Sequence, residues 1–428
     1  MAGSLRPSEP SQAESGSPDT IVSIPALVES MDVVTTRFDR AGAIGMLYVE
    51  ATALDEIERS YGHDARDRAA AAFAAQVLEV AAEHLRPDDL VLSGDLGRSE
   101  ILILVFREHR DARFYRQELP GLGQALRQRF AGRGRKVFYP YLRQHPVLHT
   151  GVAVALRNAK LGPDSQLRKL ADEARADARL NAQVARRERR QRILEVVLDR
   201  RIRSVYEPIV DVATRTVFGY EALARGPEGS EFHSPSALFE VAEQENLLFE
   251  LDCLCRASAL EGAIDYPSGS KLFLNIRPTS IHDPNFRAER LIETLARCKL
   301  SPSDVVFEIS EQESISNFKA FREISDDYRG LGFQFALDDT GAGYAGLEAI
   351  LELTPEFIKA DRAFVSGIDV DPARQEMLSA LQSVASKIGA RIIGEGLDTL
   401  EELETLGELG IAFGQGWLFG KPTQLRPK

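Results

Sequence analysis

The chain has 428 residues, 44% of them hydrophobic, with 52 basic against 65 acidic side chains and a formal charge of −13. That length suffices for two domains with full cores, and no apolar run approaches the ~20 residues of a membrane span. The acidic balance argues against polymeric nucleic acid as a partner, so any anionic ligand would have to be held by local cations or bound metals.

The first 22 residues carry no basic-then-apolar leader pattern and read as a disordered tail. Cys253, Cys255 and Cys298 lack zinc-site spacing and suit a reducing cytoplasm, where buried thiols are packing residues. Gly42–Val49 is an expected strand, followed by a helix through Leu54 and Ile57 and an alanine-rich helix over Asp67–Leu85. Leu90–Leu92 and Ile101–Phe106 flank a turn and are expected to pair as a hairpin. Arg113–Phe130 reads as a helix broken at Pro120. A strand over Val147–Leu156 and a helix over Ser165–Ala185 complete a mixed α/β domain spanning residues 23–185. Arg186–Arg203 follows as an arginine-rich linker helix, with Ile193, Val196, Val197 and Arg200 on one stripe.

From Val205 onward strands and helices alternate. Strands are expected at Val205–Val210, Phe218–Ala224, Lys271–Ile276, Val305–Ser310, Phe333–Leu337, Phe357–Ala360, Arg391–Gly394 and near Ile411–Phe413. The first two follow each other directly and should form a hairpin; the rest alternate with helices, as in a modified TIM barrel over residues 204–428. The carboxyl ends of these strands collect polar residues: Glu221, Asn275, Glu308, Asp338 with Asp339, Lys359 with Asp361, and Glu395. In a barrel such ends converge on one mouth. Oxygen ligands without histidine or cysteine select hard divalent cations, Mg²⁺ or Mn²⁺. Asp338 and Asp339 are adjacent, and neighbouring strand residues point to opposite faces, so the chain must turn there to aim both at one point.

The first half resembles the GGDEF (diguanylate cyclase) family. TALDEIERSYGHDARD is similar to that family's helix and YGHxxGD segment, and LHTGVAVA and LADEARADARL to its late strand and final helix. The signature turn is replaced by GDLGRSEI, Gly94–Ile101; of the family's metal aspartates one falls at Glu50 and the other near Thr52 or nowhere, and its GTP-serving lysine and asparagine fall on Asp55 and Glu58. Arg86 and Asp89 have the Arg-x-x-Asp form of the family's inhibitory product site. The resemblance therefore implies a degenerate, catalytically inactive regulatory domain, because GTP phosphates could not be positioned.

The second half resembles the EAL-domain cyclic di-GMP phosphodiesterases on an ordered series of motifs: YEPIVD, EALAR, LFLNIRP, EISE, ALDDTGAGY, FIKAD, IIGEGLDT and GQGWLFGKP. The resemblance implies hydrolysis of cyclic di-GMP to linear pGpG with two Mg²⁺ or Mn²⁺ ions, in a homodimer formed through this domain. Metal ligation is then expected from Glu221, Asn275, Glu308, Asp338, Asp339 and Asp361; catalytic roles from Lys359, Glu395 and Glu311; substrate contacts from Arg225 and Gln415. Lys359 would orient or help deprotonate the water, and Glu311 would brace the glycine loop after Asp339. The chain departs from the family pattern at Glu207, where glutamine is common, and at Thr340, Asp398 and Ala412. A non-hydrolytic cyclic di-GMP receptor is the alternative reading.

Overall fold

The computed structural model describes residues 24–94, 100–142, 147–264, 266–267, 269–278, 283, 286–310, 318–340 and 346–425. Glu311, the cyclase-like turn at 95–99 and the glycines at 341 and 343 lie outside them. The chain divides into two compact units, 1–188 and 189–428.

The first unit is a four-stranded antiparallel sheet built from β1 (Gly42–Ala51), β2 (Leu90–Ser93), β3 (Glu100–Glu108) and β4 (Leu148–Leu156), ordered β2-β3-β1-β4. Its helices are α1 (Met31–Ala41), α2 (Ala53–Tyr61), α3 (His63–Ala82), α4 (Leu119–Val137) and the start of α5 (Pro163–Leu198). β1 is apolar from Gly42 to Val49 because both its faces are covered. Ala43, Leu47 and Val49 pack with Leu54, Phe73 and Phe130, while Ile44, Met46 and Tyr48 pack with Phe38, Leu167 and Leu170.

Two local expectations change. Pro120 does not break a helix; a π-helical turn at Phe114–Glu118 ends where α4 begins, and Pro120 sits in the first turn of α4, where a missing N–H leaves no bond unmade. The helix expected to end at Ala185 instead continues to Leu198, because residues 164–198 contain neither glycine nor proline and are dominated by Ala, Arg, Leu and Glu. Ile193 and Val196 of its last turns are buried against Leu238, Val241, Leu251 and Leu254.

The second unit is a closed eight-stranded barrel, β10-β11-β12-β5-β6-β7-β8-β9. In chain order its elements are β5 (Arg203–Asp211), β6 (Val217–Arg225), α6 (Pro235–Gln244), α7 (Leu248–Gly262), β7 (Lys271–Asn275), α8 (Ala288–Arg297), β8 (Val305–Ser310), α9 (Phe318–Gly330), β9 (Gln334–Thr340), α10 (Gly346–Leu353), β10 (Phe357–Ala360), α11 (Arg362–Val365), α12 (Pro372–Ile388), β11 (Arg391–Gly394), α13 (Leu400–Glu408) and β12 (Phe413–Gln415). β5 runs antiparallel to both its neighbours, and the other pairings are parallel. The barrel is filled by one layer of inward side chains: Ile209, Phe273, Val306, Ala336, Phe357, Ile393 and Phe413. Phe218 stacks on Phe413 at 4.1 Å between ring centroids and closes this layer. Because side chains alternate along a strand, the next inward position is two residues on. That position holds Asn275, Glu308, Asp338, Lys359, Glu395 and Gln415 on the parallel strands, and Glu207, two residues back, on the antiparallel β5.

Candidate active site

The layer above the apolar plug is a ring of acids around one ammonium. Lys359 Nζ lies 3.1 Å from Glu221 Oε2, 3.0 Å from Glu308 Oε1, 3.1 Å from Asp338 Oδ1 and 2.7 Å from Glu395 Oε1. Lys359 is buried to 1% exposure and Glu308 to 0%. Glu221 is braced from two sides, accepting from Asn275 Nδ2 at 3.0 Å and from Gln415 Nε2 at 2.6 Å.

Asp338 and Asp339 reach one site through a bulge. Opposite them on β10 only Lys359 lies between the paired residues Ile358 and Ala360, so two residues of β9 face one of its neighbour. Asp339 sits at φ +55°, a left-handed conformation that Asp adopts more readily than most residues. That turn defeats the strand's alternation and brings both carboxylates to the same side. Asp339 also accepts a long hydrogen bond from Ser310 Oγ at 3.4 Å. Gly416, at φ +153°, lets β12 run against the loop after Glu395; a Cβ there would stand 2.3 Å from the backbone nitrogen of Leu397.

The charges are unequal to one another. Burial works against the ammonium of Lys359, yet Asp338, Glu221, Glu308 and Glu395 together hold its pKa well above the usual lysine value. Burial, reinforced by Glu221 and only partly offset by Lys359, drives Glu308 far up. Burial likewise raises Asp338 against the pull of Lys359, and Glu395 to about 8. Glu221 alone goes down: burial opposes its ionisation, but Lys359, Gln415 and Asn275 outweigh it. One positive charge is therefore too few for these acids.

Two sets of carboxylate oxygens are close enough to share a metal ion: Glu221, Glu308 and Asp338, and then Asp338, Asp339 and Glu395. Neither oxygen of Glu308 makes a hydrogen bond although both are buried, Oε1 being near Lys359 without hydrogen-bond geometry; Gln415 Oε1 is likewise buried and unpaired. Buried acceptors left unmatched in an all-oxygen donor set fit hard divalent cations.

The other expected residues are placed differently. Asp361 stands apart from both carboxylate sets; the chain leaves β10 at Ala360, and the Asp361 carboxylate caps α11 by accepting from the Ala363 N–H at 2.8 Å. Arg225 ends β6 half-buried, donating to the Ala224 carbonyl; burial lowers its pKa against the pull of Glu207 and Glu221. Gln415 is buried beside the second cavity, donating also to Glu207 Oε2 at 3.3 Å. Glu207, noticed in the sequence only as an unusual residue, lies against the cluster, and burial followed by Glu221 raises its pKa, opposed by Gln415. Its signal was available: in the β5–β6 hairpin it pairs directly with Glu221.

Two cavities flank the cluster and share Glu221. One, of about 260 Å³, is lined among others by Asn275, Ile276, Arg277 and Ser310; the other, of about 210 Å³, by Glu207, Glu395, Arg362, Gln415 and Trp417. No helix among the described residues is long and apolar enough to cross a membrane.

The EAL domain family model matches residues 189–422. The chain is 31% identical over 225 residues to the Probable cyclic di-GMP phosphodiesterase PdeG of Escherichia coli K12, covering 51% of this chain and 44% of that protein. It is 28% identical over 218 residues to the Blue light- and temperature-regulated antirepressor BluF of the same organism, covering 50% of this chain and 53% of that one. The chain thus spans about half the length of the relatives it matches. The FimX EAL domain of Xanthomonas citri, solved in complex with c-diGMP, shares the fold with a TM-score of 0.51 at 21% identity, over 58% of this chain and 98% of that one.

Proposed function

The chain belongs to the EAL domain family, and from that membership we propose that it is a divalent-metal-dependent phosphodiesterase that hydrolyses cyclic di-GMP to linear pGpG. One observation carries the reading: five carboxylates, Glu221, Glu308, Asp338, Asp339 and Glu395, meet at one barrel mouth with a single ammonium to balance them. The name of the relative PdeG supports the same activity, and the two cavities either side of the cluster suit a ligand with two lobes around a central reacting group.

Glu221, Asn275, Glu308 and Asp338 would hold one Mg²⁺ or Mn²⁺, and Asp338, Asp339 and Glu395 a second. Such ions, when bound, neutralise a phosphodiester and make a water acidic enough to attack it. The chain's own groups do the positioning. The planar fork of Arg225 binds a phosphate. Lys359, as an ammonium, orients the attacking water, and Gln415 fixes Glu221 and lines the cavity beside it, where it would meet the ligand. Asp361, two residues beyond Lys359, orders the start of α11 at the edge of the mouth, and the family resemblance assigns Glu311, outside the described residues, a bracing role. Water's oxygen bonds to phosphorus as the bond to the 3′ oxygen breaks, leaving a 5′-phosphate and a free 3′-hydroxyl.

The first unit is, on this reading, a degenerate GGDEF-like regulatory domain that makes no cyclic di-GMP. Support comes from what surrounds its acids: Glu50 pairs with His149 at 3.9 Å and Glu100 with Arg175 at 2.8 Å, and among the described residues both candidate metal-holding groups are in the barrel. The three cysteines are free, in keeping with a cytoplasmic location, and the resemblance adds a homodimer through the barrel, checked by sedimentation. A non-hydrolytic receptor is the second reading, favoured by the name of the relative BluF, an antirepressor.

The deciding experiment incubates the full chain with cyclic di-GMP and Mg²⁺ or Mn²⁺ and resolves the products. The expected product is pGpG, with none in EDTA and inhibition by Ca²⁺, whose larger, looser coordination misplaces the water. Nucleotide binding without turnover selects the receptor reading, and cyclic di-GMP formed from GTP would refute the inactive first unit.

A further inference from the structure

Lys359 sits where the cations are needed. Its ammonium touches one oxygen from each of Glu221, Glu308, Asp338 and Glu395, all within 3.1 Å, and so belongs to both carboxylate sets at once. An ammonium has three N–H donors, and here it faces four carboxylates. Its hydrogen bond goes to Glu221, and both buried oxygens of Glu308 make none. Nζ is a point charge on a flexible four-carbon stem, anchored at its base by the fully buried Ile358 and Ala360.

We infer that Lys359 is a tethered competitor for the cations: its ammonium and a divalent ion are alternative occupants of the same carboxylate oxygens, and the lysine sets how tightly the centre loads and at what ionic charge. The inference rests on the reading of these carboxylates as cation ligands. A monovalent ion brings no more charge than the ammonium it must displace and gives up the chelation that the tether supplies. A divalent ion brings twice the charge and takes six or more oxygens, including those of Glu308 that the lysine leaves unmatched. The lysine thereby keeps the acids from repelling one another apart while favouring exchange for Mg²⁺ or Mn²⁺ over K⁺ or Na⁺.

The test is calorimetric titration of Mn²⁺ into the full chain and its Lys359→Met variant, which keeps an unbranched stem without the charge. The variant is expected to bind Mn²⁺ at least ~10-fold more tightly, the direction and scale set by removing one like charge a few ångströms away. It should also unfold at lower temperature in EDTA and recover more on adding Mn²⁺. Equal or weaker Mn²⁺ binding by the variant overturns the inference. A parent chain that binds no Mn²⁺ overturns the cation reading beneath it as well. Should Lys359→Met fail to fold, the parent crystallised with Mn²⁺ decides: Nζ is expected to have left at least two of its four oxygens, and a lysine still seated among all four beside bound metal refutes competition.

Discussion

Both units bury acids, and they treat them in opposite ways. In the first unit Asp89, whose side chain is wholly buried, takes both terminal nitrogens of Arg107, at 2.6 and 2.9 Å, together with the N–H groups of Arg86 and Phe106. Arg107 in turn holds Glu118, and Glu100 is forked by Arg175 at 2.8 and 3.2 Å. At the barrel mouth four of five clustered carboxylates share one lysine, and the carboxylate of Glu308 has no hydrogen bond. Burial by itself therefore says little about function. An acid matched by donors is part of the scaffold; acids left in excess mark a place that needs more positive charge. The Arg86 and Asp89 pair illustrates the first case, since Asp89 is spent on Arg107 and Arg86 on Glu118.

The comparison is broken most forcefully by removing a matched acid. Asp89→Ala strands the buried guanidinium of Arg107 with only Glu118, and the chain should lose about 3 kcal/mol of stability or more, read as a lowered unfolding temperature. The barrel's chemistry should survive in the folded protein; a variant that melts like the parent would show that the network is not structural. Glu221→Ala should behave in the reverse sense. It leaves the Asn275 and Gln415 donors unmatched and so costs some stability, but the larger effect is on turnover of cyclic di-GMP, which should fall by about 10²-fold or more, the scale of one lost preorganised electrostatic group. Steady-state rates with Mn²⁺ decide, and a variant within a factor of about 3 of the parent contradicts the assignment of Glu221.

Much of this was legible in the chain. The alternation of apolar and polar positions on each barrel strand places Phe273 below Asn275, Val306 below Glu308 and Ile393 below Glu395, and the hydrophobic run sets the register. What alternation could not supply is the bulge at Asp338 and Asp339, because it exists only in the pairing with β10. Nor could sequence spacing separate Lys359 from Asp361. On a continuing strand the two would share a face, but the strand stops at Ala360 and Asp361 becomes a helix cap. The four ion pairs of Lys359 join residues from four strands and the position just after a fifth, and no local pattern encodes that convergence.

Smaller effects sharpen the contrast at the ligand. Arg225→Ala should weaken cyclic di-GMP binding by about 1.5–3 kcal/mol, the worth of hydrogen bonds to a charged group, with Mn²⁺ affinity little changed because its guanidinium donates to the Ala224 carbonyl and not to the cluster. Equilibrium dialysis with labelled nucleotide measures it, and unaltered nucleotide affinity removes Arg225 from the phosphate site.

The last test is pH, where the excess acids should leave a signature opposite to that of paired ones. Glu395 is raised to about 8, and Asp338, Glu308 and Glu207 are raised with it, against about 4.3 for glutamate and 3.9 for aspartate in an unfolded chain. Between those values the folded protein retains protons that the unfolded chain has released, so stability falls as pH rises. Each retained proton contributes a slope of up to ~1.4 kcal/mol per pH unit. Glu221, whose pKa is lowered, acts the other way, but only below the usual glutamate range. Unfolding temperatures in EDTA should therefore decline from pH 5 to 8, and Mn²⁺ should flatten that decline by supplying the charge the carboxylates lack. Glu395→Gln should flatten it in part without metal. A stability that rises with pH across this window would mean that the acids at the mouth are as well matched as Asp89, and that the contrast between the two units is false.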